Sequence, residues 1–274
     1  MLDNRDGNAF TDKPFFNTNF IWLNNIKSVT GEYTYKRAGE VIKSTPYKYV
    51  YQFDTVGRLS ATLETRADDG SRDTNWNCYT YNRQGRITDH RRGDGRNFNT
   101  IHYVYDTNAR AVMEYYSHEF RDTLNLPQTT VINTESMQYV VGDSMVKKTV
   151  YNSYNLPYLE EITYYDRKGY VKERQQWLIV TKGSTRYTYT YNERGFLAGV
   201  RIFGQGESIP FEEKKFLYDS FGNLEEIQFY REGNYVTETE MIYNEKTKLL
   251  RYVLTRDVAT NFIGIIDFKD YEFW

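Results

Sequence analysis

The chain has 274 residues, and its 35 basic and 37 acidic side chains leave a net charge of -2. That balance excludes the strong positive field of a general nucleic-acid or anionic-membrane binder. Hydrophobic residues make up 39% and aromatic residues 17%, with 27 Tyr; so many rings exclude a disordered chain, and the scarcity of aliphatic side chains argues against a two-layer sandwich.

Residues 1–30 carry Phe10, Phe15, Phe16, Phe20, Ile21, Trp22 and Leu23 but no repeat, and they read as the N-terminal cap of an array. The opening Met1-Leu2-Asp3-Asn4-Arg5-Asp6 has no apolar signal core. The expectation is either a cytoplasmic protein or an extracytoplasmic one whose signal peptide was removed. No stretch approaches the ~20 apolar residues of a membrane-spanning helix.

From residue 31 to 256 one pattern returns: aromatic, any residue, aromatic, Asp or Asn, two spacers, Gly, any residue, aliphatic. The clearest copies run from Tyr51 (Asp54, Gly57, Leu59), Tyr79 (Asn82, Gly85, Ile87), Tyr189 (Asn192, Gly195, Leu197) and Phe216 (Asp219, Gly222, Leu224). A fifth keeps Tyr165, Asp166 and Gly169. The Asp or Asn suits the first position of a type I turn, and the Gly three residues later suits the left-handed residue of a bulged hairpin. Each copy therefore reads as strand, tight turn, strand. Weaker copies follow Tyr33, Tyr103, Val150 and Tyr243. Ala109 and Thr247 stand where Gly belongs, so another turn type or a shift of the left-handed residue to a neighbour such as Asn108 is expected there. Asp68-Asp69-Gly70-Ser71, Gly93-Asp94-Gly95-Arg96 and Gly204-Gln205-Gly206-Glu207 mark a second, less regular class of turn.

Units of about 25 residues hold two strands and two turns. The expected fold is all-β: a single-domain antiparallel β-meander of roughly 15 to 20 strands, elongated and partly a single-layer sheet. The alternative is closure into a barrel or propeller. Residues 119–130 read as an extended loop, and residues 257–274 as a C-terminal cap.

Little chemistry stands out from this scaffold. The adjacent carboxylates Glu160-Glu161, Glu212-Glu213 and Glu225-Glu226 point to opposite faces of their strands. His90, His102 and His118 are too scattered for a zinc site, and the turn Asp and Asn residues come singly, unlike calcium ligands. No catalytic residue, cofactor or metal site is expected, and the lone Cys78 reads as a small half-buried residue. The rows of Tyr are the one sharper lead. Tyr79, Tyr81, Tyr103, Tyr105, Tyr189 and Tyr191, with Arg86 and Arg91 from the basic run, are candidate ligand-binding residues; the competing role is an aromatic ladder that holds the sheet together.

The Tyr-x-Tyr-Asp-x-x-Gly-Arg-Leu pattern resembles the YD repeats of the Rhs family, also seen in teneurins and in the shells of insecticidal toxin complexes. The resemblance spans roughly residues 33–256. It implies a β-meander in an extracytoplasmic or secreted setting, often in Gram-negative bacteria, with the repeats as scaffold. The expectation is a small stand-alone relative, shorter than the large closed shells of that family and without their encapsulating role. The functional expectation is a non-enzymatic secreted or cell-surface scaffold that binds a glycan or protein through an aromatic sheet face. The alternative is a polysaccharide hydrolase using cross-strand carboxylates. The expected partners are a protein or polysaccharide at the cell surface, with neither nucleic acid nor a membrane span, and homodimers could form through edge strands or sheet faces.

Overall fold

The computed structural model describes residues 1–65 and 74–274, and the turn expected at Asp68-Asp69-Gly70-Ser71 lies outside them. One short helix, α1 (Thr18–Leu23), precedes the strands β1 (Ile26–Lys36), β2 (Lys43–Phe53), β3 (Leu59–Thr65), β4 (Thr74–Tyr81), β5 (Ile87–Gly93) and β6 (Phe98–Tyr105). Then come β7 (Ala111–Arg121), β8 (Pro127–Val141), β9 (Met145–Tyr151), β10 (Pro157–Tyr165), β11 (Val171–Leu178) and β12 (Ser184–Tyr191). The last six are β13 (Leu197–Phe203), β14 (Glu212–Tyr218), β15 (Leu224–Arg231), β16 (Asn234–Tyr243), β17 (Leu250–Asp257) and β18 (Ile263–Phe273).

All eighteen belong to one sheet, and apart from β1 with β18 the registered pairs are antiparallel neighbours in sequence. β1 pairs with β2 on one side and with β18 on the other, from Ile26 opposite Phe273 to Lys36 opposite Ile263. The meander therefore closes as a barrel, and the open, partly single-layer sheet expected from the sequence is corrected to its closed alternative. The physical reason lies at the two ends. Each terminal strand would expose a row of unpaired backbone groups, and pairing them with each other removes both edges at once. Residues 257–274, read from the sequence as a C-terminal cap, hold β18 and the turn that leads into it.

The repeat turn is built as its residues suggest. Asp54 Oδ1 accepts the N–H groups of Val56 (3.1 Å) and Arg58 (2.9 Å), Gly57 N–H donates to the Asp54 carbonyl, and Arg58 Nε reaches Asp54 Oδ2 at 2.7 Å. Asn82, Asp166, Asn192 and Asp219 cap their turns in the same way. Gly57, Gly85, Gly169, Gly195 and Gly222 all have positive φ, between 80° and 90°. At Ala109 the expectation was wrong: the alanine itself takes the left-handed conformation, φ 74°, and the turn is unchanged. At the Asn244 turn the left-handed residue moves from Thr247 to Lys248, φ 58°. The loop expected at residues 119–130 is instead the end of β7, another copy of the capped turn and the start of β8. Asp122 accepts from the N–H groups of Leu124 and Leu126, and Asn125 takes the glycine position at φ 61°. Asn152 and Asn155 (φ 59°) build the same turn between β9 and β10.

The second aromatic of the motif has a defined task. In three copies its hydroxyl donates to the carbonyl that begins the preceding strand: Tyr105 to Ile87 (2.7 Å), Tyr218 to Leu197 (2.8 Å) and Tyr243 to Leu224 (2.7 Å); outside the motif, Tyr271 donates likewise to Leu250 (2.5 Å). Tyr139 does the same to Ala111 at 2.8 Å. Each hydrogen bond stitches a strand to its neighbour near the turns and contributes about 1 kcal/mol.

The chain divides into two compact units, Met1–Cys78 with Tyr191–Gly199 and Lys214–Trp274, and Tyr79–Thr190 with Val200–Glu213. The first has a filled core. Phe15 and Phe16 of the N-terminal segment pack on Tyr51 and Phe53 with ring centroids 4.9–5.7 Å apart, and Tyr51 meets the fully buried Phe268. Gly31 makes room for Phe268, since a Cβ there would lie 2.7 Å from its ring. The second unit differs. Its buried hydrophobic residues are Tyr79, Met137, Val150 and Phe203, and Thr100, Ser117 and Thr163 are buried beside them. Polar interactions take over there from aliphatic packing.

Candidate functional site

The register places the second unit's side chains on faces. His90 stands opposite Ile101, Ile101 opposite Tyr116, and Tyr103 opposite Glu114, which stands opposite Glu135. Farther along, Tyr139 stands opposite Lys148, Lys148 opposite Glu161, Glu161 opposite Gln176, and Arg174 opposite Tyr187. Alternation along each strand puts these residues on one face, so aromatic rings and planar or charged polar groups share it across β6 to β12.

Two clusters dominate that face. In the first, the Tyr116 hydroxyl donates to Glu114 Oε2 at 2.6 Å and also lies 3.3 Å from Glu135 Oε2. Tyr158 donates to Glu135 as well. Burial and then the two carboxylates push the Tyr116 hydroxyl far above its ordinary pKa, and burial followed by Glu135 does the same for Tyr158. Neither Glu114 nor Glu135 has an ion pair among the described residues. In the second cluster Glu161 lies 3.4 Å from Lys148 Nζ and 3.9 Å from Arg174 Nε, and accepts from Gln176 Nε2 at 2.7 Å. Burial pushes the Glu161 carboxyl up, but Lys148, Gln176 and Arg174 outweigh it and hold the group below the usual carboxylate range. The Tyr187 hydroxyl lies 3.4 Å from Gln176 Oε1.

The expected ligand residues divide between faces and units. Tyr79 is buried and stacks on His90 at 4.9 Å, so it serves the sheet. Tyr81, two residues on, shares its face. Tyr103 and Tyr105 lie side by side, 6.4 Å between centroids, and the Tyr105 hydroxyl is committed to Ile87. Arg86 sits over the Tyr105 ring at 5.6 Å. Arg91 points to the opposite face, where it ion-pairs with Glu119 and lies 4.3 Å above Phe98. Tyr189 carries Arg174 over its ring at 6.0 Å, and Tyr191 belongs to the other unit. Of this set, Tyr103 and Tyr189 flank the polar clusters.

Glu114, Tyr116, Glu135, Lys148 and Gln176 escaped sequence reading because β7, β8, β9 and β11 bring them together, and Glu161 of β10 was weighed there only as the neighbour of Glu160. The only available signal was their placement in strands between two turns of the same class. The histidines do not converge. His90 stacks on Tyr79, His102 Nδ1 lies 2.7 Å from Asp89 Oδ1, and His118 Nδ1 lies 3.1 Å from Asn99 Oδ1. Among the described residues no three His, Cys, Asp or Glu side chains gather as a metal site.

No family model matches the chain, and no curated protein matches it. Among solved structures it is similar to a porin-like protein from Bacteroides uniformis, at 9% identity over 90% of this chain and 98% of that one, with a TM-score of 0.40. It is also similar to part of a TcdB2–TccC3–Cdc42 structure, at 13% identity over 79% of this chain and 14% of that one, TM-score 0.23. A LolA superfamily protein from Nitrosomonas europaea follows at 9% identity over 94% and 90%, TM-score 0.22.

Proposed function

We propose that this chain is a non-enzymatic, extracytoplasmic scaffold, a small relative of the YD-repeat proteins, that binds a saccharide on the mixed aromatic and polar face of β6 to β12. The observation that carries the reading is the composition of that face. Rings such as Tyr103 and Tyr189 offer surfaces for the C–H faces of a sugar, while Glu114, Glu135, Gln176 and Arg174 offer planar groups for its hydroxyls. The strands are poorly suited to a lipid-facing wall. On β9 and β10, Lys147 pairs with Glu160 on one face and Lys148 with Glu161 on the other, so neither face supplies the apolar band of a membrane barrel.

A glycan array is the first test. A saccharide should bind the wild type, and Tyr103→Ala and Glu135→Gln should each weaken it at least tenfold while keeping the wild-type melting curve. Binding unaffected by either change would remove the reading.

One observation favours a hydrolase as the second reading. Glu114 and Glu135 stand directly opposite and share the Tyr116 hydroxyl, as paired carboxylates of a glycosidase would require proximity. Release of reducing ends from an array hit, abolished by Glu114→Gln and Glu135→Gln alike, would replace the binding reading with this one.

A further inference from the structure

We propose that β8 carries an open sheet edge through which two copies of this chain pair strand to strand. β8 has 15 residues, yet its ladder with β9 covers only Ser136 to Val141. Its ladder with β7 covers Pro127 to Ser136. Among the described residues, Pro127 to Glu135 are therefore in a ladder on one side only. Every residue from Pro127 to Ile132 is exposed, so nothing among the described residues lies over that edge. Free N–H and C=O groups along a strand are a template for a further strand. Sheets ordinarily blunt such an edge with charged side chains, and residues 123–134 contain no Asp, Glu, Lys or Arg.

The missing charge also identifies the occupant. In a two-fold antiparallel pairing each strand faces itself, so a charge near the axis meets its own kind. A charge-free run is the condition that self-pairing needs. Two features set the register. Pro127 has no N–H to offer, and the bulge that leaves Ile132 without a partner in β7 bends the strand beyond Val131. The regular stretch between them is Gln128 to Val131. A two-fold axis normal to the sheet keeps each side chain on its own face, so it must fall on a residue; on Thr129 it sets Thr129 opposite Thr129 of the second copy, Gln128 opposite Thr130 and Val131 opposite Pro127. Ile132, 65% exposed, then comes beside Leu126 of the second copy, itself 53% exposed. So short a contact falls below the roughly 1,000 Å² of a stable interface, and the dimer should form reversibly with concentration.

Sedimentation velocity from low micromolar to several hundred micromolar tests this, using the wild type and two variants of exposed edge residues, T129K/T130K and T129E/T130E. The wild type should move toward twice the monomer mass, each variant should remain monomeric, and their equimolar mixture should pair again. Hydrogen exchange on the wild type alone should show the amides of Gln128 to Val131 slowing at least threefold at the highest concentration. A wild type that stays monomeric throughout overturns the proposal and leaves the edge to a strand of another protein. Dimers in both variants, a mixture that fails to pair, or unchanged exchange at these amides would overturn it equally.

Discussion

Gly39 and Gly57 share a backbone conformation, φ 76° and 86°, and lie in the same compact unit, but their surroundings differ. A Cβ on Gly39 would meet nothing within 4 Å. One on Gly57 would fall on the Thr18 carbonyl oxygen and lie 2.8 Å from Trp22 N and 3.0 Å from Trp22 Cβ. Gly39→Ala should therefore cost only the left-handed penalty of an L-residue, about 1–2 kcal/mol. Gly57→Ala adds overpacking of about 1–3 kcal/mol, for a total of about 2–5 kcal/mol. The atoms in the way include backbone of α1, so relief requires the helix to move. Asn17 caps α1 through Phe20 N–H at 2.9 Å, and Ile21 within it is fully buried, so movement would expose core. Urea unfolding followed by circular dichroism gives the two costs, and hydrogen exchange reports on Thr18–Leu23. Gly57→Ala should lose protection there while Gly39→Ala keeps it. Equal costs, with α1 equally protected in both, would refute the claim that the N-terminal segment is seated on this turn.

Ala109 already pays the left-handed penalty at φ 74°, so Ala109→Gly should stabilise the chain by up to about 1 kcal/mol in the same assay. Tyr243→Phe removes the hydroxyl that donates to Leu224 and should cost about 1–3 kcal/mol, whereas Tyr154→Phe, at an 83% exposed ring, should be neutral by thermal melting. Burial and then Glu114 and Glu161 push the Tyr139 hydroxyl up to about 12. Its folded pKa lies above the unfolded value near 10, so its contribution to stability is full below about pH 10 and is lost as pH rises through about 12. Burial raises Tyr235 to about 12 as well, so tyrosinate absorbance should show a late step that Tyr139→Phe reduces by one tyrosine. Glu161 has the opposite sign: its depressed pKa stabilises the fold above the ordinary carboxylate range, and that share is lost on acidification, so Glu161→Gln should flatten the acid limb of a pH–stability profile.

The hairpins were legible because the turn chemistry is local. Asp54 and Gly57 act within four residues of one another, and five glycines in that slot take the conformation it requires. Ala109 and Asn125 were misread because the turn tolerates more than glycine once its Asp has capped it. Asp122 with Asn125 and Leu126 could have been recognised as another copy with Asn in the glycine slot, which would have turned the supposed loop into a hairpin. Closure was not legible. It depends on β1 meeting β18 from the far end of the chain, and neither strand carries the complete motif. The role of the second aromatic was equally hidden, because each hydroxyl acts on the strand before its own. The polar clusters follow from register across six strands, and composition alone, read as rows of Tyr, pointed to the face but not to the carboxylates on it.

The proposed binding face is most directly tested by hydrogen exchange of the wild type with and without a saccharide identified on the array. Slower exchange should map to Tyr103, the Glu114–Tyr116 segment, Glu135 and its neighbours, and the Arg174–Gln176 segment, with the unit built on Met1–Cys78 unchanged. Protection confined to that other unit or to the turns, with β6 to β12 exchanging as in the free protein, would contradict the account.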